Sequence, residues 1–281
     1  MKQERDTQSF GVKFMPSIEK MSDVMAHAVV KPAAKDAGSP LTRIPTSLRP
    51  VFHASVIVPV YNEEDTISRT LLCLSRYLGP DYELIVCNDA STDDTHDALK
   101  KLKTENPNIR LLEFHKRIGK GGSIKKAVEI ANSDVIVYVD ADLPASLDDL
   151  LRLVERASKT DALVISRRTL RGRLTQGALR LTISVGYNLM ARLIFGTGIE
   201  DHQCGLKAMR KKVAEKLIAK TSNNRFVFDT ELIVRAKRLS IPVEEIQIDW
   251  AERRPKRANT KWLKTSIEMM KDLVVLKESL P

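Results

Sequence analysis

From Ser55 onward, short apolar runs alternate with longer segments in which apolar residues recur every three or four positions. The short runs predict buried strands, and the recurring pattern predicts amphipathic helices. The predicted strands are SVIVPV, YELIVCND, NIRLLEF, DVIVYVD and DALVIS, and the helices between them are EEDTISRTLLCLSRYL, STDDTHDALKKLKTE, KGGSIKKAVEIAN and LDDLLRLVERAS. This alternation predicts an α/β fold with a largely parallel sheet flanked by helices.

The first 50 residues have a different pattern. They contain five prolines and no sustained period, although MSDVMAHAVV has the composition of a short helix. This composition predicts a low-order extension over residues 1–50 and one domain over residues 51–281. The chain has 281 residues, 43% of them hydrophobic, which is enough for one sizeable core.

The net charge limits the classes of binding partner that the protein can have, and the cysteine content indicates its redox compartment. The net charge of +10 favours phosphorylated ligands, anionic lipid or nucleic acid. The chain shows no nucleic-acid-binding motif, and no aromatic residues are interleaved with the arginines between Ala162 and Ile199, which argues against nucleic acid. Three scattered cysteines predict a reducing, cytoplasmic setting. We find no signal peptide in MKQERDTQSF and no run near the ~20 apolar residues of a spanning helix.

Two aspartates directly follow the apolar run VIVYV. In an extended segment, Asp140 and Asp142 point to the same side, with Ala141 between them. Paired carboxylates at a strand end suit Mg²⁺ or Mn²⁺, which share their ligand shell with substrate phosphates. The alternative is a loop in which Asp142 caps the helix that begins near Leu147.

Weaker signals follow the second and third predicted strands. Asp89 ends the second strand, where it suits a nucleobase or ribose, although Ser91 or Thr92 could make this segment a plain helix cap. Lys120 lies among three glycines in RIGKGGSIKKA, at the start of a helix. Exposed N–H groups and a lysine there favour a phosphate, but a simple turn explains the same pattern.

Basic residues dominate the stretch from Ala162 to Ile199. It contains six arginines and no acidic residue; they are Arg167, Arg168, Arg171, Arg173, Arg180 and Arg192. Arginine binds phosphate bidentately, so the stretch predicts a phosphate contact. A solvated basic face and a nucleic-acid contact are the alternatives.

The last helix-forming segment, residues 261–278, has an apolar face that begins with Trp262 and is flanked by lysines. A basic amphipathic helix can lie on an anionic membrane, and packing on the domain is equally compatible with the pattern. A second apolar segment, Leu181–Ile199, is interrupted by Asn188, Arg192 and three glycines, so it does not predict a spanning helix, but it could also contact a membrane surface.

Seven segments in this order resemble glycosyltransferase family 2, whose members have the Rossmann-like GT-A fold. They are VIVPVYNEEDTI, LIVCNDASTDDT, RIGKGGSIKKAV, VDADL, DHQCGLKAMRKKV, FVFDTELIVRAKRLSIPVEEIQIDW and TKW. Within the family they are most similar to the enzymes that make dolichyl-phosphate glucose and dolichyl-phosphate mannose.

The resemblance implies roles for individual residues. Donor contacts are implied for Pro59, Tyr61, Glu63, Asp89, Lys120, Asp140, Ala141 and Asp142. Asp140 and Asp142 would also hold Mg²⁺ or Mn²⁺ and, with Arg167 and Arg180, would carry catalysis. Acceptor contacts are implied for Arg167, Arg180, Asp201, Gln203, Lys207, Asp229 and Glu231.

The implied activity is inverting transfer of a hexose from UDP-glucose or GDP-mannose to a polyprenyl phosphate. The protein would reach this acceptor at the cytoplasmic face of a membrane, either by peripheral contact or by binding a membrane-protein partner. Mannose-type relatives tend to carry a metal-binding glutamine where this chain has Pro144, so the metal would have one protein ligand fewer or another residue would supply it. The segments QCG and IPVEEIQIDW are more similar to the glucose-type enzymes. A family 2 transferase that acts on a small phosphorylated acceptor, and a non-catalytic subunit that binds sugar nucleotides, are the alternatives.

Overall fold

A computed structural model describes residues 53–169, 178–251 and 261–280, and within these ranges the side chains of 178–180 and 261–267 are not described. The predicted N-terminal extension, residues 1–50, lies outside the described residues.

The described strands form one seven-stranded sheet in the order β3-β2-β1-β4-β6-β5-β7. They are β1 (Ala54–Val60), β2 (Tyr82–Asn88), β3 (Ile109–Glu113), β4 (Val135–Tyr138), β5 (Leu163–Arg168), β6 (Lys207–Arg210) and β7 (Val243–Ile248). Strand β6 runs antiparallel to β4 and β5, and the other pairings are parallel. The α/β fold with a largely parallel sheet is therefore confirmed.

Helices lie between the strands. In the described residues they are α1 (Ile67–Leu78), α2 (Thr95–Glu105), α3 (Gly119–Ile130), α4 (Leu147–Ser158), α5 (Ala178–Phe195), α6 (Lys211–Ile218), α7 (Phe228–Arg238) and α8 (Lys261–Ser279). The first four match the predicted helices. Helix α5 continues through Gly186, and Gly196, with a φ of 59°, follows its last residue. Gly186 therefore interrupts the apolar run without ending the helix.

Both faces of the sheet are buried, which explains why its strands read as continuous apolar runs. In β1, Val56 and Val58 pack into one apolar layer and Ile57 packs into the other. The first layer takes side chains from α1, α2 and α4, and the second takes them from α3, α6 and α7. Ends of strands, rather than faces, are consequently where polar side chains can reach a ligand.

Strand β6 was not predicted, because KAMR is short and lacks an apolar alternation. Because it lies between β4 and β5, it brings a charged side chain to the end of β4. The register pairs Tyr138 with Lys207, and thereby places a lysine beside the last residue of the strand that leads to Asp140.

Helices α5 and α8 pack together outside the sheet. Tyr187 and Ala191 of α5 form a small buried cluster with Leu273 and Leu276 of α8. The described second half of α8 therefore packs on the domain, while Val274 is 49% exposed. No helix in the described ranges is long and apolar enough to cross a bilayer.

Candidate active site

The segment after β4 is a turn and not the extended chain that the sequence analysis assumed. The Leu143 N–H donates to the Asp140 carbonyl oxygen at 3.0 Å, and Leu143 has a φ of 43°. Thr70 of α1 donates its hydroxyl to the Ala141 carbonyl at 2.7 Å. A positive φ at leucine is uncommon and is typical of functional turns. The two aspartates thus belong to a tight, anchored turn at the end of the sheet.

Helix α4 is capped by Ser146, whose Oγ accepts from the Asp149 N–H at 3.0 Å. Asp142 therefore does not cap this helix, and that alternative is wrong. The Asp142 residue is 8% exposed, whereas 31% of the Asp140 side chain is exposed. Both carboxylates remain candidates for ligand binding.

The donor set at this turn fits a hard divalent ion. Across the described ranges, no three His, Cys, Asp or Glu side chains are arranged to hold a metal. Mg²⁺ and Mn²⁺ accept one or two carboxylates and complete their shell with water and substrate phosphates. Asp140 and Asp142 meet that requirement, and Pro144 adds no side-chain ligand.

Asp140 belongs to a buried ion cluster, which we define as Asp140, Lys120, Asp229 and Lys207. Lys120 Nζ lies 2.8 Å from Asp140 Oδ1 and 2.9 Å from Asp229 Oδ2. The other oxygen of Asp229 accepts from Lys207 Nζ and from the Tyr138 hydroxyl, both at 2.7 Å. The cluster joins the starts of α3, α7 and β6 to the end of β4.

The cluster sets the ionisation of its members. Burial by itself would raise the pKa of Asp229, but Lys120 and then Lys207 hold it below its ordinary value. Burial would lower the pKa of Lys120, and Asp140 and Asp229 raise it instead. Burial, with Asp229 second, raises the pKa of Tyr138 well above its ordinary value, so its hydroxyl stays a donor. Lys120 is therefore charged and Asp229 ionised at neutral pH.

The loop before β6 presses against Asp140. Lys207 Nζ donates to the carbonyl oxygens of His202 and Cys204 at 3.2 and 2.7 Å. A β carbon placed on Gly205 would lie 1.8 Å from Asp140 Oδ2. Only glycine at position 205 allows the Asp140 carboxylate to lie this close to the loop. The two hydrogen bonds from Lys207 hold the loop in this position.

On the predicted donor side, Asp89 organises the glycine-rich turn. Its oxygens accept from the N–H groups of Ile118 at 2.6 Å and Gly119 at 2.9 Å. Helix α2 begins only at Thr95, so the alternative of a cap at Ser91 or Thr92 is wrong. The contacts of Asp89 position the start of α3, where Lys120 lies.

The loops that follow β1 and β2 are bonded to each other. Between the two loops, Asn62 Oδ1 accepts from the Thr92 N–H at 2.8 Å. Within the first loop, the Glu63 side chain accepts from the Thr66 hydroxyl at 2.8 Å. Arg117 places its guanidinium carbon 3.6 Å from the centroid of the Tyr61 ring. The loops and this stacked pair form one wall at the carboxyl end of the sheet.

Pro59 plays a different part from its loop neighbours. It is buried inside β1 and lies opposite Cys87 in the register. Its implied donor contact stays a prediction.

On the predicted acceptor side, the two adjacent arginines of β5 have different environments. Arg168 makes a bidentate ion pair with Asp201, at 2.7 Å from Nε and 2.8 Å from Nη2. Arg167 is 31% exposed and pairs with Glu200 at 2.7 Å. Burial would lower the pKa of Arg168, and the Asp201 carboxylate raises it above its ordinary value. Arg167 can meet a ligand, whereas Arg168 and Asp201 neutralise each other in the interior.

Two more predicted acceptor residues, Glu231 and Gln203, also differ in their surroundings. Glu231 is fully buried and accepts from the Ser222 and Asn223 N–H groups and from Arg235. Gln203 Nε2 lies 3.8 Å from the sulfur of Met269 in α8. An acceptor contact by Glu231 would have to break these bonds. The side chain of Arg180, in the first turn of α5, lies outside the described side chains.

Sequence reasoning missed two residues that shape the site, namely Arg117 and Tyr138. An available signal for Arg117 was its position just before the glycine-rich segment, whereas the partner of Tyr138 is distant in sequence. Arg168 was grouped with the arginines predicted to contact phosphate, but it pairs with Asp201 instead. Gly205 lies in the segment DHQCGLKAMRKKV, and no local signal showed that it contacts Asp140.

The sheet order and the site at its carboxyl end define a GT-A fold. One solved structure with this fold is glucosyl-3-phosphoglycerate synthase from Mycobacterium tuberculosis, in complex with Mn²⁺, UDP and glucosyl-3-phosphoglycerate. It aligns with a TM-score of 0.60 and 19% identity, over 81% of this chain and 80% of that chain. The likeness establishes the fold.

Sequence comparison establishes the family. The Glycosyl transferase family 2 profile matches residues 55–218, and the chain belongs to this family. Glycosyltransferase AglD of Haloferax volcanii is 34% identical over 219 residues, which span 73% of this chain and only 35% of AglD. Dolichyl-phosphate beta-glucosyltransferase of Dictyostelium discoideum is 28% identical over 241 residues, or 79% of this chain and 73% of that protein. The protein is a glycosyltransferase.

Proposed function

We propose that the protein transfers glucose, with inversion, from a nucleoside-diphosphate sugar to a dolichyl-type polyprenyl phosphate. The observation that carries this proposal is the anchored Asp140–Asp142 turn, a two-carboxylate site at the carboxyl end of a family 2 domain. Support for the substrates comes from relatives named dolichyl-phosphate beta-glucosyltransferase in Dictyostelium discoideum and Saccharomyces cerevisiae.

In this proposal Asp140 and Asp142 would hold Mg²⁺ or Mn²⁺, and the ion would stabilise the charge that leaves with the nucleoside diphosphate. The protein's part is to orient these carboxylates. Thr70 fixes the turn from α1, and Lys120 fixes Asp140 from α3. A lysine at the start of a helix is also well placed to meet the diphosphate.

The nucleoside occupies the wall formed by the loops after β1 and β2. Tyr61 and Arg117 are stacked there, and a planar base can pack against either group. Asp89 acts on this side through the glycine-rich turn that it holds.

The acceptor phosphate is the nucleophile, and it is already ionised at neutral pH. Asp201, Asp229 and Glu231 are buried in bonds to protein groups, so they do not act as a general base. Positioning by cations then supplies most of the rate. We assign the acceptor phosphate to Arg167, whose side chain is 31% exposed, with Arg180 as the second candidate.

A polyprenyl acceptor requires the protein to reach a bilayer surface. Val185, Leu189 and Leu193 lie four residues apart on α5, so they share a face of the helix. They are 46%, 47% and 77% exposed, and Val274 and Val275 of α8 are 49% and 60% exposed. We define Val185, Leu189 and Leu193 as the α5 stripe and assign it to peripheral contact with the cytoplasmic face of a membrane.

The activity is tested with purified protein, dolichyl phosphate in detergent, Mn²⁺ or Mg²⁺, and radiolabelled UDP-glucose or GDP-mannose. We expect label to enter the organic phase from UDP-glucose and the Asp142→Ala variant to lose transfer while remaining folded. Asp161→Ala, which removes an exposed aspartate paired with Lys212, is the matched control. Unchanged turnover in Asp142→Ala would contradict the metal assignment. Transfer only to a water-soluble phosphorylated acid would replace the lipid acceptor by a small one.

The membrane contact is tested by flotation with anionic liposomes. We expect salt-sensitive binding that is lost when Leu189 and Leu193 both become glutamate. Tyr77→Ser is the control, because it removes a side chain that is 47% exposed on α1. Equal binding of the wild type and the Leu189→Glu/Leu193→Glu variant would exclude the α5 stripe as the contact.

A further inference from the structure

The ion cluster places a lysine against a carboxylate that is assigned to a metal. Lys120 Nζ lies 2.8 Å from Asp140 Oδ1, and only 12% of the Lys120 side chain is exposed. Asp140 is therefore already paired with a cation. A divalent ion that binds Asp140 must weaken this contact, because one carboxylate then serves two cations.

Lys120 keeps a second carboxylate within reach. Asp229 directs Oδ2 to Lys120 at 2.9 Å and Oδ1 to Lys207 at 2.7 Å, so each oxygen serves one ammonium group. When Asp140 turns to a metal ion, Lys120 remains paired with Asp229. A buried ammonium without this partner would face the dication with no counter-charge, which is strongly unfavourable.

We propose that Lys120 is an internal counter-ion that competes with the divalent ion for Asp140, and that Asp229 is the positioning residue that keeps Lys120 paired when the ion binds. This inference rests on the proposed metal site at Asp140 and Asp142. It also links that site to the loop before β6, since Lys207 joins Asp229 to the carbonyl oxygens of His202 and Cys204.

The competition predicts opposite effects for two substitutions. Lys120→Met removes the competing charge, so affinity for Mn²⁺ in the absence of nucleotide rises by about tenfold. Asp229→Asn leaves Lys120 with Asp140 as its one carboxylate partner among the described residues, so affinity falls by roughly the same factor. Because Asp229 acts through Lys120, the double variant should bind Mn²⁺ about as tightly as Lys120→Met, so the two effects do not add. A role confined to stability would not produce opposite signs.

The test is a titration of each full-length variant with Mn²⁺ alone, in which the free ion is measured by electron paramagnetic resonance. Melting temperatures are measured on the same samples. Glu83→Gln is the control, since Glu83 is a buried carboxylate on β2 that accepts from Ser55 and Asn132, away from Asp140. It should lower the melting temperature and leave Mn²⁺ affinity unchanged.

Tighter Mn²⁺ binding by Lys120→Met, together with weaker binding by Asp229→Asn, supports the inference. If Asp229→Asn does not fold, the Lys120→Met titration decides alone. Lys120→Met binding no tighter than a wild type that does bind Mn²⁺ overturns the inference and leaves the metal site intact. A wild type that binds no Mn²⁺, or an Asp142→Ala variant that binds it equally well, overturns the metal site and the inference together.

Discussion

Gly205 is the residue whose substitution most directly tests the geometry of the turn. A β carbon at this position would lie 1.8 Å from Asp140 Oδ2, 2.3 Å from Cγ and 2.6 Å from Oδ1. All three carboxylate atoms are too close, so Asp140 or the loop must move. Gly205 does not have a positive φ, and alanine there adds no backbone strain. The effect of Gly205→Ala therefore comes from displacement of Asp140.

The expected magnitude follows from that displacement. Contacts of 3.4 Å or more are ordinary for a β carbon, so the carboxylate must move by more than an ångström if the loop stays in place. A shift of about 1 Å in a catalytic group costs on the order of 100-fold in rate, or about 2.7 kcal/mol of transition-state stabilisation. We expect kcat for hexose transfer to fall by that factor and Mn²⁺ affinity to fall with it.

The assay compares initial rates of hexose transfer for the wild type, Gly205→Ala and Gly186→Ala. Gly186 lies inside α5 with no atom within 4 Å of the added β carbon, so this control should keep the wild-type rate. In an Asp140→Ala background, Gly205→Ala should cause little further loss of stability because the clashing group is absent. Wild-type kcat and Mn²⁺ affinity in Gly205→Ala would refute the reasoning.

Three further predictions concern stability. Burial lowers the pKa of His202 from 6.5 to about 4; the unfolded chain therefore binds a proton that the folded chain does not, and stability falls as pH drops from 6.5 through 4. Urea titrations at pH 7 and pH 4 measure this loss of unfolding free energy. In His202→Gln the loss should be smaller than in the wild type by about 3 kcal/mol. Arg168→Met removes the bidentate ion pair with the buried Asp201 and should cost ~3–5 kcal/mol of unfolding free energy, less when combined with Asp201→Asn. Ser146→Ala removes the α4 cap and should cost ~1 kcal/mol in the same assay.

Much of the fold was predictable because local patterns decide it. Continuous apolar strands and amphipathic helices alternate from Ser55, and burial on both faces of the sheet requires that pattern. The position of Asp140 and Asp142 at a strand end followed from the same pattern. The family resemblance added their chemistry, which no single motif specified.

Tertiary structure decided the parts that depend on distant residues. Strand β6 has only four residues and no apolar alternation, and β4 and β5 on either side provide its hydrogen bonds. The sequence could not separate Arg167 from Arg168, because only the fold places Asp201 against one of them.

The ion cluster depends most strongly on the tertiary structure. Asp229 lies 109 residues from Lys120 and 91 from Tyr138 along the chain, yet it bonds to both. The sequence shows which residues are charged, but it does not show which of them form ion pairs. Those pairings arise only when the sheet brings α3, α7 and β6 to the end of β4, where burial makes each charge require a partner.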